Sequence, residues 1–157
     1  MKANQSGFTL IELIVVITIL GILSAFALPR FAALQTDARM AKMNGALGSI
    51  KAAAVLSHSI QLTQQLAPGA SVLMEGSSIT MANGYPLASN VSIGHAAGFV
   101  NVAGVSFDDF VLAPIAGGGV FTVTPDAGHP LCAVTYTEPA AGGAPTYSNG
   151  GVSTLNC

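Results

Sequence analysis

The residue best placed for chemistry is a single acid at the start of a long apolar run. Glu12 is the only charged residue among the 21 residues of the range 8–28. A helix of that length rises about 31 Å, which matches a bilayer core of about 30 Å. An acid within such a span costs about 2.5 to 3.5 kcal/mol on insertion scales, so its presence indicates a function. Charge pairing is the candidate chemistry, and an acid merely tolerated at the membrane edge is the alternative.

A proteolytic cut would create the partner for this acid. Residues 1–7 form a short polar leader that carries one lysine, Lys2, and ends in the small residue Gly7. An ordinary secretory signal has its small-residue cleavage site after the apolar stretch, whereas the obvious boundary here lies before it. Cleavage between Gly7 and Phe8 would therefore keep the apolar helix on the mature chain. It would also place a new amine one helical turn from Glu12.

Residues 7–12 read Gly-Phe-Thr-Leu-Ile-Glu, and with the apolar run they resemble the precursor motif of the type IV pilins and the related pseudopilins. Gly21 and Pro29 also fall where many of these helices carry a glycine and a proline. The resemblance implies that a prepilin peptidase cuts between Gly7 and Phe8 and that the Phe8 amine is N-methylated. It also implies an inner-membrane precursor with its head in the periplasm, which pilus assembly machinery then adds to an extracellular homopolymer.

Thr9 and Glu12 are the expected assembly residues. The Glu12 carboxylate would meet the Phe8 amine of an incoming subunit and fix its axial register, because an unpaired partner of a buried ion pair costs about 3 to 5 kcal/mol. Pro29 removes one backbone hydrogen bond and clashes with the carbonyl of Ala25. We expect a kink there in the isolated subunit, and loss of helix over residues 21–29 on assembly.

Composition favours one exported domain. The chain has 157 residues, 51% of them apolar, and only 8% are charged, against about 25% in an average soluble protein. Such a surface suits packing against copies of itself, and it suits an ordinary poorly charged secreted protein equally well. No basic residue follows Lys51. The head therefore lacks the positive surface that nucleic-acid binding requires.

The spacing of apolar residues predicts that the helix continues as an amphipathic half over residues 29–66. One stripe recurs mostly every three or four residues, and a head sheet would cover it: Phe31, Leu34, Ala38, Met43, Leu47, Ile50 and Ala54. Arg39, Lys42 and Lys51 are expected on other faces. Gly45 and Gly48 are expected to allow close packing by a strand. Pro68-Gly69 is a stop signal.

Residues 67–157 alternate short apolar segments with turn residues, which predicts a β-sheet head. Expected strands or extended segments are 71–74, 77–81, 120–124, 131–137 and 152–155, and expected turns are 83–86, 116–119, 125–128 and 139–151; residues 88–110 receive no assignment. The fold class is therefore α+β. A long N-terminal helix, with a transmembrane half (8–28) and an amphipathic half, packs against a small antiparallel β-sheet.

Two cysteines, Cys132 and Cys157, favour a disulfide, because an even count in an exported domain is typical of one. The bridge would close a loop of 26 residues, 132–157; two free thiols are the alternative. In pilins, a loop closed in this way is often exposed and faces partners, and residues 139–151 have the composition of such a loop.

Two short head segments indicate which type of pilin the chain resembles. Asn83-Gly84-Tyr85-Pro86 and the segment 132–137, Cys-Ala-Val-Thr-Tyr-Thr, are similar to the mannose-sensitive haemagglutinin (MSHA) type pilins. That resemblance implies a surface fibre for adhesion and biofilm formation. It does not indicate which surface ligand the fibre binds.

Other classes of function fit poorly. The chain lacks a Gly-x-Ser-x-Gly elbow and a phosphate loop, so we expect no enzyme and no cofactor. His58, His95 and His129 lack metal-ligand spacing. Asp108-Asp109 could help bind calcium, but no calcium loop surrounds the pair and a solvated turn is favoured. The alternatives to a pilus subunit are a pseudopilin of a type II secretion system and a single-span exported enzyme or binding protein.

Overall fold

The long helix predicted from the sequence is the first element of the chain. The structure is a computed structural model that describes residues 7–100, 109–115 and 119–157. Helix α1 spans Leu10–Thr63 and contains Pro29, which does not interrupt it. Thr9 caps the first turn, because its Oγ1 accepts a hydrogen bond from the backbone N–H of Glu12 at 3.3 Å.

The end of α1 is a Schellman motif. Gln65 adopts the left-handed conformation, with φ of 53°. The N–H of Leu66 donates to the Gln61 carbonyl, and the N–H of Gln65 donates to the Leu62 carbonyl, both at 3.1 Å. These two bonds satisfy carbonyls that the last helical turn would otherwise leave unpaired. The helix thus ends shortly before Pro68-Gly69, as predicted.

The chain divides into two compact units, Met1–Thr36 and Asp37–Cys157. In the first unit the described residues are 7–36, which include the apolar half of α1. Its large apolar side chains are open to solvent, from 47% exposed at Ile14 to 85% at Phe8. An 18-residue window in α1 has mean hydropathy 2.6 and is 0% buried, so the helix could span a membrane by length and composition.

Among the described residues of the second unit, the rest of α1 is followed by eight short strands in three antiparallel sheets. The strands are β1 Val72–Met74, β2 Ser77–Ile79, β3 Met81–Ala82, β4 Tyr85–Pro86, β5 Val111–Ile115, β6 Val120–Thr124, β7 Val134–Thr137 and β8 Thr146–Ser148. β1 pairs with β2, β3 pairs with β4, and the largest sheet has the order β5-β6-β7-β8. A π-helical turn, Asn90–Gly94, lies between β4 and β5.

The core lies between α1 and the four-stranded sheet. Alternate residues of β7 are buried, so Val134 and Tyr136 face the core. The cluster contains Met43, Ala46, Leu47, Ile50, Ala53 and Ala54 from α1, and Phe121, Val123, Val134 and Tyr136 from the sheet. Met43, Leu47, Ile50 and Ala54 of the predicted stripe are therefore confirmed as core.

The first part of the predicted stripe is not core. Phe31 and Leu34 are 63% and 60% exposed, and Ala38 is also exposed. Phe31 and Leu34 belong to the first unit, in which the described residues include no strand that could cover them. The apolar spacing was correct here, but its interpretation as head core was wrong.

The expected role of two helix glycines was also wrong. Gly45 and Gly48 are exposed, and a Cβ at either position would meet no heavy atom within 4 Å. At about 100° per residue they lie opposite the buried face of α1. No strand packs closely on them in the described residues.

The head strands were predicted unevenly. β6 has the predicted bounds, and β1 and β2 lie within predicted segments. Segment 131–137 shortens to β7, and segment 152–155 forms turns instead of a strand. Three strands were missed: β4, which lies within the predicted turn 83–86, β5, which contains Pro114, and β8, which lies within the predicted turn 139–151. Of the predicted turn 116–119 only Gly119 is described, and 101–108 of the unassigned stretch lie outside the described residues.

Candidate assembly site and the head contacts

Glu12, the lone acid of the apolar half of α1, lies beside Thr9, the residue that caps the helix. Thr9 Oγ1 lies 3.4 Å from Glu12 Oε2 and donates to it, while it accepts the Glu12 N–H. The Thr-x-x-Glu spacing is that of a capping box, in which the third helical residue folds back on the cap. Gly7, Phe8 and Glu12 are all exposed. The subunit thus presents the predicted cleavage bond and the carboxylate without covering either.

The apolar half of α1 has no polar face. A helix that is apolar all round belongs in a membrane or inside an assembly, because water cannot solvate it favourably. Fully burying one large aliphatic or aromatic side chain is worth about 1.5 to 3 kcal/mol. Every large apolar side chain from Phe8 to Leu34 is 47% exposed or more. The subunit therefore leaves a large apolar surface for lipid or for other helices to cover.

The second unit also leaves one side of α1 free of charge. Seven exposed positions alternate at steps of four and three residues, and their side chains are small or apolar: Ala41, Gly45, Gly48, Ala52, Val55, Ser59 and Leu62. This spacing places them on one face, opposite the core-facing residues. We call these seven residues the outer stripe. Val55 and Leu62 are 60% and 62% exposed.

Two basic residues of α1 are engaged by the head instead of facing solvent alone. Arg39 Nε donates to Asp126 Oδ2 at 3.2 Å, and Arg39 Nη1 donates to the Cys157 carbonyl at 3.1 Å. Lys42 Nζ donates to the carbonyls of Asp109 and Pro125. The head has no basic residue of its own after Lys51. The cationic groups that contact Asp126 and the loop carbonyls of the head therefore come from the helix.

Asp126 is the centre of this polar contact. His129 Nδ1 lies 2.7 Å from Asp126 Oδ1, and the N–H of Gly128 donates to the same oxygen at 2.9 Å. The hydrogen bond from His129 is the largest cause that lowers the pKa of Asp126 below its ordinary value of 3.8; burial opposes it. His129 directly follows the predicted turn 125–128 and is a hydrogen-bond partner of Asp126.

The predicted disulfide is present. Cys132 and Cys157 are bonded, with Cα atoms 4.9 Å apart, and both are buried. Gly151 lies close under this bridge, since a Cβ there would come within 2.5 Å of the Leu131 carbonyl oxygen. The loop is therefore fastened at its base, while Thr146 and Ser148 of β8 stay exposed.

The head segments 83–86 and 132–137 touch each other. Tyr136 is fully buried, and its hydroxyl donates to the Pro86 carbonyl at 2.6 Å. Asn83 and Gly84 form the tight turn between β3 and β4, with φ of 52° and 94°, as a two-residue hairpin requires. His58 of α1 stacks on Tyr85 with ring centroids 4.2 Å apart. The predicted turn 83–86 is thus a hairpin whose second strand is β4.

Candidate ligand sites of the head are small. The described residues hold no group of three metal-ligating His, Cys, Asp or Glu side chains, and Asp108 lies outside them. A hollow of about 230 Å³ is lined by seven residues, among them Glu75 and His95. Drug-sized ligand sites typically measure about 300 to 1,000 Å³. The hollow brings together one acid and one imidazole, which suits no reaction that we can specify.

Together, the uncovered apolar helix and the disulfide-closed antiparallel head define a pilin-like α+β fold. Residues 2–28 match the family model described as the prokaryotic N-terminal methylation motif. Over 31 residues the chain is 61% identical to a type IV major fimbrial protein FimA and to a fimbrial protein, both of Dichelobacter nodosus. That stretch covers 20% of this chain and 19% of each relative.

The chain thus spans about a fifth of the length of the curated relatives it matches, and no solved structure matches it. The similarity to type IV pilins is carried by the N-terminal motif and apolar helix.

Proposed function

We propose that this chain is a structural subunit of a type IV pilus, polymerised through its N-terminal helix. One observation carries the proposal: the apolar half of α1 is 0% buried over an 18-residue window and overlaps residues 2–28, which match the methylation motif. In the precursor, lipid of the inner membrane would cover this helix, with residues 1–7 in the cytoplasm and the head in the periplasm. In the fibre, the helices of other copies would replace the lipid.

Processing would complete the assembly site. Cleavage between Gly7 and Phe8 by a prepilin peptidase frees an amine, which N-methylation leaves positively charged. The carboxylate of Glu12 on a neighbouring subunit is its proposed partner. Thr9 orients that carboxylate through the 3.4 Å contact, so the capping pair would present the acid at a fixed height on the helix.

The outer stripe supports self-association by the second half of α1. Its small residues let another backbone approach closely, and it carries no charge that would need a partner. The core-facing residues of this half pack against the head, on the side of the helix opposite the outer stripe. One side holds the head, and the other is available to a second copy.

The first test removes the charge of Glu12. Glu12→Gln keeps the size of the side chain, and Glu12→Val removes its polarity as well. Each should reduce sheared surface fibres to background while the subunit level in the membrane fraction stays normal, because a mispaired buried amine costs about 3 to 5 kcal/mol. Glu75→Gln, at an exposed head turn, is the matched control and should assemble normally. Normal fibre yield from both Glu12 variants would refute the proposed contact.

Assembly is proposed to change the helix between Gly21 and Pro29. This stretch is helical in the subunit, although it contains the two residues that weaken a helix most. Packing neighbouring subunits would favour an extended path there, because Pro29 already leaves one carbonyl without its helical donor. A reconstruction of the filament should show non-helical backbone over these residues. Unbroken helix through Ala25 would contradict this.

We further propose that the fibre is of the MSHA type and serves adhesion and biofilm formation. Support comes from the two short head segments, which the Tyr136 to Pro86 hydrogen bond joins into one packed unit. Cells without this chain should attach less to surfaces and form less early biofilm, and restoring the gene should restore both. Unchanged attachment in cells that have lost the fibre would reject this function and leave the fibre itself intact as a proposal.

A pseudopilin of a type II secretion system is the second candidate, because it would share the N-terminal motif. The disulfide and the MSHA-like head segments favour the pilus subunit. Electron microscopy of sheared material distinguishes the candidates: long surface fibres made of this chain indicate a pilus, and short periplasmic structures with a secretion defect indicate a pseudopilin. A monomer that stays in the membrane would indicate a single-span exported enzyme or binding protein.

A further inference from the structure

Three Asn-Gly dipeptides occur in the chain: Asn44-Gly45, Asn83-Gly84 and Asn149-Gly150. This dipeptide is the one most prone to spontaneous deamidation, because glycine leaves its backbone nitrogen unhindered. We propose that Asn149 is a site of such modification and that the fold protects the other two. The proposal is independent of fibre assembly.

The reaction needs only water as a co-reactant. The backbone nitrogen of Gly150 loses its proton and attacks Cγ of Asn149, the bond from Cγ to the amide nitrogen breaks, and ammonia leaves. Water then opens the five-membered succinimide at either carbonyl. The product is aspartate or isoaspartate, and in either case the neutral amide is replaced by a free carboxylate. The backbone N–H must therefore be free, and the side chain must be able to turn toward it.

Asn44 and Asn83 fail these conditions. Asn44 lies inside α1, where the N–H of Gly45 is part of the helical hydrogen-bond ladder. The N–H of Gly84 donates to the Pro68 carbonyl at 2.8 Å. The Asn83 side chain is held as well, since its Nδ2 donates to the Pro139 carbonyl at 2.9 Å. Both reacting groups of this dipeptide are thus fixed by the backbone of distant segments.

Asn149 meets both conditions. It is exposed and follows β8 at the start of a turn, in which the N–H of Val152 donates to the Asn149 carbonyl at 2.9 Å. The N–H of Gly150 contacts only the exposed Ser148 hydroxyl, at 3.2 Å, which water can replace. Among the described residues, the Asn149 side chain has no hydrogen-bond partner. Its amide is therefore free to rotate toward the Gly150 nitrogen.

The consequence is a charge that appears after synthesis at an exposed loop. The formal net charge of the chain is −2, and one conversion adds −1. This loop belongs to the head, in which no basic residue follows Lys51. Each modified copy would present an additional carboxylate to whatever approaches this loop.

The test follows the three asparagines in one sample. The full-length chain in detergent micelles is incubated at neutral pH, and peptide mapping by mass spectrometry measures the amide-to-acid conversion at each site. Asn149 should convert at least about tenfold faster than Asn83, which must first lose two hydrogen bonds. With the disulfide reduced and the chain unfolded in denaturant, the three rates should converge. Faster conversion at Asn83, or rates that keep their order after unfolding, would overturn the proposal.

Gly150→Ala is the matched variant. A Cβ at Gly150 would lie 3.5 Å from Ser148 Oγ, an ordinary contact, so the fold should tolerate it. The methyl group should slow conversion at Asn149 and leave Asn83 unchanged. An unchanged rate at Asn149 in a variant with the wild-type unfolding curve would also overturn the proposal.

Discussion

Removing the bridge between Cys132 and Cys157 is expected to destabilise the head by about 3.5 kcal/mol. The two residues are 25 positions apart, and the chain-entropy relation gives about 3.5 kcal/mol at 25 °C for a closed loop of this length. A typical domain has only about 5 to 15 kcal/mol of unfolding free energy. The bridge is therefore a large part of the stability of the small head.

The assay is urea unfolding of the full-length chain in detergent, followed by the near-ultraviolet circular dichroism of its tyrosines. Cys132→Ala with Cys157→Ala avoids burying a hydroxyl at either position, since both are buried. Reduction of the wild-type disulfide supplies the same comparison without a mutation. Ser49→Ala, at an exposed helix position, is the control. A loss below about 1 kcal/mol in both the double variant and the reduced protein would refute the loop-entropy reasoning.

Two further predictions concern the head contacts. Tyr136→Phe should destabilise the head by about 1 to 3 kcal/mol, because the buried Pro86 carbonyl loses its hydrogen-bond donor. Tyr147→Phe, at a half-buried ring, is the control. An equal loss of stability in the two variants would contradict this prediction. Because the pKa of Asp126 is lowered, its stabilisation is present above about pH 4 and is lost as the pH falls through the folded-state pKa. Unfolding curves of Asp126→Asn should therefore differ from wild type at neutral pH and converge with it in acid, and a constant difference would reject the role of the carboxylate.

The sequence predicted the elements whose signals are local. The buried positions from Met43 to Ala54 recur with helical spacing, and α1 ends shortly before the predicted stop signal Pro68-Gly69. Asn83-Gly84 has the backbone requirement of a two-residue hairpin turn. The disulfide followed from the even cysteine count and the exported context.

The elements that failed depend on distant contacts. Residues 152–155 look like a strand, but the bridge at Cys157 and the close approach of Gly151 to the Leu131 backbone hold them in turns. β8 lies in a segment rich in turn residues and forms through pairing with β7. β5 was not predicted because it contains Pro114, which argues against a strand. β5 lies at the edge of its sheet, where the missing backbone N–H of a proline is tolerated.

The exposed apolar residues from Phe31 to Ala38 show a second limit of prediction from sequence. Helical apolar spacing indicates that something covers these residues, but it does not say whether the cover is the same chain, lipid or another copy. The same holds for Glu12, whose proposed partner exists only after cleavage at Gly7. The missed contacts of Arg39 and Lys42 had a signal in the sequence, since a head with acids and no later basic residue must find its cations on the helix.

The mass of the subunit in sheared surface fibres tests the central claim most directly. Intact mass spectrometry and fragmentation would identify the first residue, its modification and the state of the cysteines, on fibres that electron microscopy has shown to be long. The proposed function predicts a subunit that begins at N-methylated Phe8, with Cys132 and Cys157 bonded. Fibres whose subunit retains residues 1–7, or a chain found only as a membrane monomer, would contradict it.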